Sequence, residues 1–233
     1  MALTFFQDTL LVAFDAGLFL FLIGYMIYRR RFTSGGNLLL TLIMVLLLSS
    51  LADLAFRWNP DPTIILLANV FLAFCFLFGL TIVAHFSLYS FTKARFLWAN
   101  ELYLWLYLPA VVVALIYAAT PLMLTGIVYN PFGFQLIYGP GFWAVVVLGL
   151  GLALASFLLE FDMLLKRVSK SENRQALLSL LILCLLAYYY FTDLVLPFFS
   201  RGAALISPLP VTLAIVILIY EFIKYHYVSL ENV

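Results

Sequence analysis

Chemistry has few places to sit in a chain of 233 residues that is 66% hydrophobic and only 10% charged. The first candidates are the ionisable side chains that interrupt apolar runs. Toward one end of those runs lie Asp15, Asp53, Arg57, Asp193 and Arg201. Such a group at membrane depth costs several kcal/mol unless it is paired or hydrated, so each asks for a partner. Asp53 and Arg57, spaced i,i+4 in "DLAFR", share one helix face and can pair along it. A plain ion pair and a ligand-binding role fit that spacing equally. Asp193, in "YYYFTDLVLP", follows three tyrosines and precedes Pro197, which loosens a helix just beyond it. If Asp193 approaches Arg57, a buried charged cluster forms.

At the other end lie His85, Glu160, Asp162, Glu221 and His226. Most of them fall within a turn or two of a run's end, where a solvated or snorkelling side chain is the expectation. His85 in "TIVAHFSLY" is deeper, and hydrogen bonding to a neighbouring helix is its expected role. With no second intramembrane His to pair with it, neither haem nor metal is expected, and no cofactor is proposed. Cys75 and Cys184 read as small core hydrophobes, since neither has a CxxC or close second cysteine. No Ser/His, GxGD or HExxH constellation is present, so the chain is not read as an enzyme.

One uncharged stretch adds polar groups of a different kind. "YNPFGFQLIYGPGFW", Tyr129 to Trp143, carries Pro131 and Pro140, which lack backbone donors, and Gly133, Gly139 and Gly141, which permit turns. A hairpin or re-entrant lid is expected there. Its aromatic residues suit the headgroup level, where they could serve as plain anchors. Alternatively the segment covers an outward cavity, with Asn130, Gln135, Tyr138 and Trp143 joining Asp53, Arg57 and Asp193 as ligand-binding candidates.

The elements that position these residues follow from composition. A mean hydropathy of +1.14 leaves too few charges to cover a soluble domain of 26.4 kDa, so the chain is an integral membrane protein. A spanning helix needs about 20 apolar residues. Seven runs qualify, near 9–28, 37–57, 63–90, 102–120, 141–165, 175–199 and 204–224, which predicts an all-α seven-transmembrane helix bundle forming a single domain over 1–233. The first run is followed by Arg29, Arg30 and Arg31 rather than preceded by them, so it reads as a retained helix. Of the twelve Lys and Arg, only Arg57 and Arg201 fall on the amino-terminal side of this arrangement. That bias predicts the N-terminus outside and the C-terminus cytoplasmic, in a multi-pass cell membrane protein. The scattered positive charge, net +1, gives no footprint for nucleic acid. On the fifth run, Gly149 with Ala153 and Gly151 with Ala155 have small-xxx-small spacing, which suits internal packing or a homodimer. Ser169 and Glu172 have the spacing of a capping box opening the sixth.

"IYGPGFW" (Ile137 to Trp143) opening helix five, a short basic loop, and "NRQALLSLL" (Asn173 to Leu181) opening helix six resemble the seven-helix amino-terminal sensor region of bacterial and archaeal membrane histidine kinases. The ending "IYEFIKYHYVSLENV" is similar to that family's exit toward a cytoplasmic signalling helix. The resemblance implies that Tyr138, Gly139, Pro140 and Trp143 shape the outer entrance of helix five, and that Arg174 and Gln175 set the inner start of helix six. It also implies a prokaryotic inner or plasma membrane and a cytoplasmic kinase or cyclase output domain, or a partner subunit in its place. The sequence departs from the family in having no phospho-acceptor histidine region and no nucleotide-binding motif before Val233. The expectation is therefore an isolated sensor domain or a stand-alone relative.

Other seven-helix classes fit less well. No lysine sits at mid-membrane of the last run to carry retinal, and helix three ends "SLYSFTKAR" without the acidic-Arg-aromatic triplet of a G-protein-coupled receptor. A sensor or receptor module binding a small ligand or membrane cue is the first reading. A small-solute transporter and a non-catalytic structural subunit of a membrane complex are the alternatives.

Overall fold

The computed structural model describes residues 2–29, 34–58, 61–92, 99–120, 124–130 and 133–165, with thirteen helical positions between 177 and 219. Arg57, Asn130 and Gln135 are described by backbone alone. The elements in chain order are α1 (Ala2–Arg29), α2 (Ser34–Trp58), α3 (Pro62–Thr92), α4 (Ala99–Ala119), β1 (Leu124–Asn130), β2 (Gly133–Tyr138) and α5 (Phe142–Leu165). Among the described residues, four helices contain stretches long and apolar enough to cross a membrane: Thr9–Tyr28, Asn37–Ala55, Pro62–Leu88 and Phe142–Asp162. In α4 the apolar stretch is shorter, Leu104–Ala119. The first five runs expected from the sequence thus overlap helices, while the sixth and seventh lie largely outside the described residues.

Helix is the local solution these runs dictate, because a spanning segment must satisfy its backbone internally. Their hydroxyls follow the same rule. Ser50, Thr81 and Ser156 donate to the carbonyls of Leu46, Leu77 and Leu152, one turn back, at 3.1, 2.7 and 2.8 Å. Asp61 and Pro62 set the start of α3. The Asp61 carboxylate accepts from the Thr63 amide at 2.8 Å and its carbonyl accepts from the Ile65 amide at 3.0 Å. Pro62 occupies the first helical position, where a missing N–H costs nothing.

Helix α3 is the centre of the bundle. It packs against α2, α4 and α5, while α1 packs on α2. Its Leu72, Phe76, Leu77 and Leu80 meet Phe19 and Met26 of α1, Leu42 and Leu46 of α2, Ala110 of α4, and Val145 of α5 in one core. Two hydrogen bonds fix the direction of α4: Tyr117 bonds Asn69, and Tyr107 bonds His85. The higher number on one helix meets the lower on the other, so α3 and α4 are antiparallel. The outer face of α5 is apolar as well, exposing Val147, Leu150, Leu154, Leu158, Phe161 and Leu165 at helical spacing. A helix apolar on both its buried and its exposed sides suits hydrocarbon, not water. Of the small-residue pairs on α5, Gly149 is buried with Ala153 packed against the core, whereas Gly151 has open space around it.

Between α4 and α5 the chain forms the antiparallel β1–β2 hairpin, so the expected hairpin begins at Leu124, earlier than Tyr129. Ile127 pairs with Leu136 and Asn130 with Gly133, closing the register around residues 131 and 132. A bulge lies between Leu124 and Gly126, where Thr125 is the extra residue and its hydroxyl donates to the Ile137 carbonyl at 2.9 Å. Strand alternation buries Leu136 and exposes Ile137. The chain then turns into α5 through Gly139-Pro140-Gly141-Phe142, with the Phe142 amide donating to the Gly139 carbonyl at 3.1 Å. Proline second and glycine third is the residue order a tight turn favours.

Candidate functional site

The hairpin end of the bundle collects buried polar side chains from five elements. The short 59–61 connection brings the C-terminal end of α2 beside the N-terminal end of α3, and antiparallel packing adds the C-terminal end of α4. Asn69 of α3 and Tyr117 of α4 are both buried, and the Tyr117 hydroxyl donates to Asn69 Oδ1. Tyr117 lies within electrostatic reach of Tyr138 at the end of β2. The Tyr138 ring stacks on Phe142 with centroids 4.2 Å apart, and Phe142 is fully buried. Tyr138 thus joins the hairpin to α5 by ring stacking, and the Tyr117–Asn69 hydrogen bond joins α4 to the central helix within electrostatic reach of it.

Farther around the bundle, Asp15 of α1 lies within electrostatic reach of Asp53 of α2, with the hydroxyl of Thr212 beside it. All three are buried, Asp15 completely. Among the described residues, neither carboxylate oxygen of Asp15 reaches good hydrogen-bond geometry, although Thr212 is close enough to interact. Thr212 belongs to the helical positions between 212 and 219, so this group ties the first two helices to the last described stretch of chain.

The opposite end has its own pair of contacts. The Ser87 hydroxyl on α3 lies 2.7 Å from Glu160 Oε1 on α5 and 2.9 Å from the Val83 carbonyl. Its single proton serves one of the two at a time. Glu160 is fully buried, which corrects the expectation of a snorkelling side chain: α5 turns this position toward α3 rather than toward the headgroups. His85 Nδ1 and the Tyr107 hydroxyl share a hydrogen bond of 3.1 Å, and their rings meet edge to face.

Of the ligand candidates read from the sequence, the structure buries Asp53 and half-buries Tyr138 at the hairpin end. Trp143 is 46% exposed, and its neighbour Phe142 takes the buried position. Asn130 and Gln135 occupy paired strand positions opposite Gly133 and Val128. Arg57 lies one turn beyond Asp53 on α2. Asp193 lies outside the described residues.

Sequence reasoning placed Asp15 at the correct end without assigning it to the site, and it passed over Asn69, Tyr117 and Thr212. Asn69 had a readable signal, being a lone amide in the apolar run "IILLANVFLAF". Among the described residues no three His, Cys, Asp or Glu side chains gather as a metal site would need. No protein-family model matches the chain, and no curated protein matches it.

Proposed function

We propose that the chain is a seven-helix membrane sensor, with its hairpin end outside and its C-terminus in the cytoplasm of a prokaryotic cell. It receives a small ligand or membrane cue at the hairpin end and delivers a change of helix packing to a cytoplasmic kinase or cyclase output. The observation that carries this reading is the buried Asp15 of α1, which lies beside the Thr212 hydroxyl and within electrostatic reach of Asp53 on α2. Through it, buried polar groups at the hairpin end bear directly on the stretch that leads toward Lys224 and the C-terminus. A cue shifts this equilibrium only as far as it favours one packing state, about 1.4 kcal/mol for each tenfold change in population.

The test is a fusion of the chain, in frame after Val233, to a dimeric histidine-kinase catalytic core, with autophosphorylation measured in membrane vesicles. Thr212→Val and Asp15→Asn should each change the kinase rate severalfold while leaving the amount of inserted protein constant. Unchanged rates in both would remove the sensor reading. Buried carboxylates also suit a small-solute transporter, and ion flux in proteoliposomes of the unfused chain is the result that would favour it.

A further inference from the structure

We propose that the outward face of the β1–β2 hairpin docks onto the lipid bilayer itself, at the boundary between headgroups and acyl chains. Val128 pairs with Gln135 and Gly126 with Ile137, so Val128 and Ile137 are diagonal neighbours on one face of the ladder. Each exposes 44% or more of its surface, whereas Leu136, on the opposite face, is buried. Gly126 lies opposite Ile137, and a Cβ added there would meet nothing within 4 Å. The chain leaves this apolar face uncovered.

Two further observations identify lipid as the cover. From Leu102 to Leu159 the sequence contains no Asp, Glu, Lys, Arg or His, so the chain passes from α4 through the hairpin into α5 without a charge. A connection set in water has no reason to exclude every charge, whereas one set in a bilayer does. The hairpin also runs straight into an apolar stripe on α5, where Trp143, Val147, Leu150, Leu154 and Leu158 are exposed at helical spacing. That stripe suits hydrocarbon, and a Trp at its start suits the interface. Backbone groups limit the depth. A two-stranded ladder leaves N–H and C=O groups unpaired along its outer edges, and hydrocarbon offers them no partner. At the headgroup boundary water and ester oxygens serve those edges while Val128, Ile137 and Trp143 enter the apolar side. The tip, closed by Asn130 and Gly133, stays at headgroup level within reach of water-borne reagents. With no Lys or Arg in the stretch, the attraction is apolar and indifferent to headgroup charge. The docking does not rest on the sensor reading; within that reading it makes the bilayer the cue.

The experiment is spin-label collision spectroscopy of the full chain in phosphatidylcholine vesicles, with Cys75→Ala and Cys184→Ala as background and one nitroxide at a time at Val128→Cys or Ile137→Cys. Oxygen concentrates in hydrocarbon and a nickel chelate stays in water, so the ratio of their collision rates reports depth. Leu150→Cys on the lipid side of α5 and Asp61→Cys in the connection at the hairpin end are the two references. The expected ratio at Val128 and Ile137 is severalfold above that at Asp61 and below that at Leu150. A ratio equal to that at Asp61 would put the face in water and overturn the proposal, and one equal to that at Leu150 would overturn its placement at the boundary. Low collision rates with both reagents, or spectra broadened by a label on a second chain, would show protein as the cover and overturn it too. If the labelled variants fail to fold, the unsubstituted chain decides: a phosphatidylcholine with a diazirine near the glycerol end of its acyl chain should place adducts between Thr125 and Tyr138, and none there would sink the docking. A hairpin found in the bilayer alongside an unresponsive kinase fusion would remove the sensor reading alone, and a responsive fusion with the hairpin in water would remove the docking alone.

Discussion

Phe142 and Trp143 are neighbours in the chain with opposite surroundings. Phe142 is fully buried, stacked on Tyr138 and in contact with the core, while Trp143 is 46% exposed on the outer face of α5. Truncating a buried Phe typically costs about 3–5 kcal/mol, because the emptied space collapses only in part. Phe142→Ala should therefore lower the thermal midpoint of the purified protein in detergent markedly, and Trp143→Ala should leave it nearly unchanged. Equal losses would mean that the two rings share one environment. The sequence showed that aromatic rings mark this corner, but not which ring turns inward, since the helix phase of α5 is set by the Gly139–Phe142 turn. Glu160 was misread for a related reason. Its position near the helix end suggested water, whereas its angular position on α5 directs it at Ser87. Depth along a helix is legible in hydropathy; rotation about the axis is weakly so when both faces are apolar.

Helix starts and turns were legible where a residue type has one backbone use. Asp61 before Pro62 marks the start of α3, and the Gly-Pro-Gly at 139–141 marks the entry to α5. The expected helices two to five overlap α2 to α5 to within a few residues at each end, whereas α1 starts at Ala2, well before the apolar run near 9–28, because a helix can extend past the apolar stretch that hydropathy marks. The hairpin's early start at Leu124 was hidden by "LTGIVYN", an apolar strand that composition cannot distinguish from a fraying helix end. Loss of an N-cap typically costs about 1 kcal/mol. Asp61→Ala should lower stability by about that amount, and Asp61→Asn, whose side-chain carbonyl can still accept from the Thr63 amide, should restore most of it. Denaturant titration followed by circular dichroism checks both. Equal loss in Ala and Asn would assign the effect to the charge rather than to the hydrogen bond.

At the scale of the molecule, the parity of crossings decides which groups face the environment. Helices α1, α2, α3 and α5 each carry a stretch of spanning length, and α4 has 21 residues. At about 1.5 Å per residue it matches a hydrocarbon core of about 30 Å. Its bonds to α3 through Tyr107 and Tyr117 hold it alongside a spanning helix at two levels. If α4 crosses, four passes separate the N-terminus from the hairpin and both lie on one side. The proposed topology takes that side as external, from the positive-inside bias, and the C-terminus as internal. Single cysteines introduced at Gly133 and Gly202 should then react with an impermeant maleimide applied to intact cells, and one at Ser171 only after permeabilisation. An α4 that lies along the surface would reverse the later positions, so that Ser171 labels from outside while Gly133 and Gly202 do not. The labelling pattern thus tests α4 and the charge argument together. With the orientation reversed but α4 spanning, Ser171 would again label from outside, but a cysteine at Asn37 would label with it; with α4 on the surface, Asn37 stays protected.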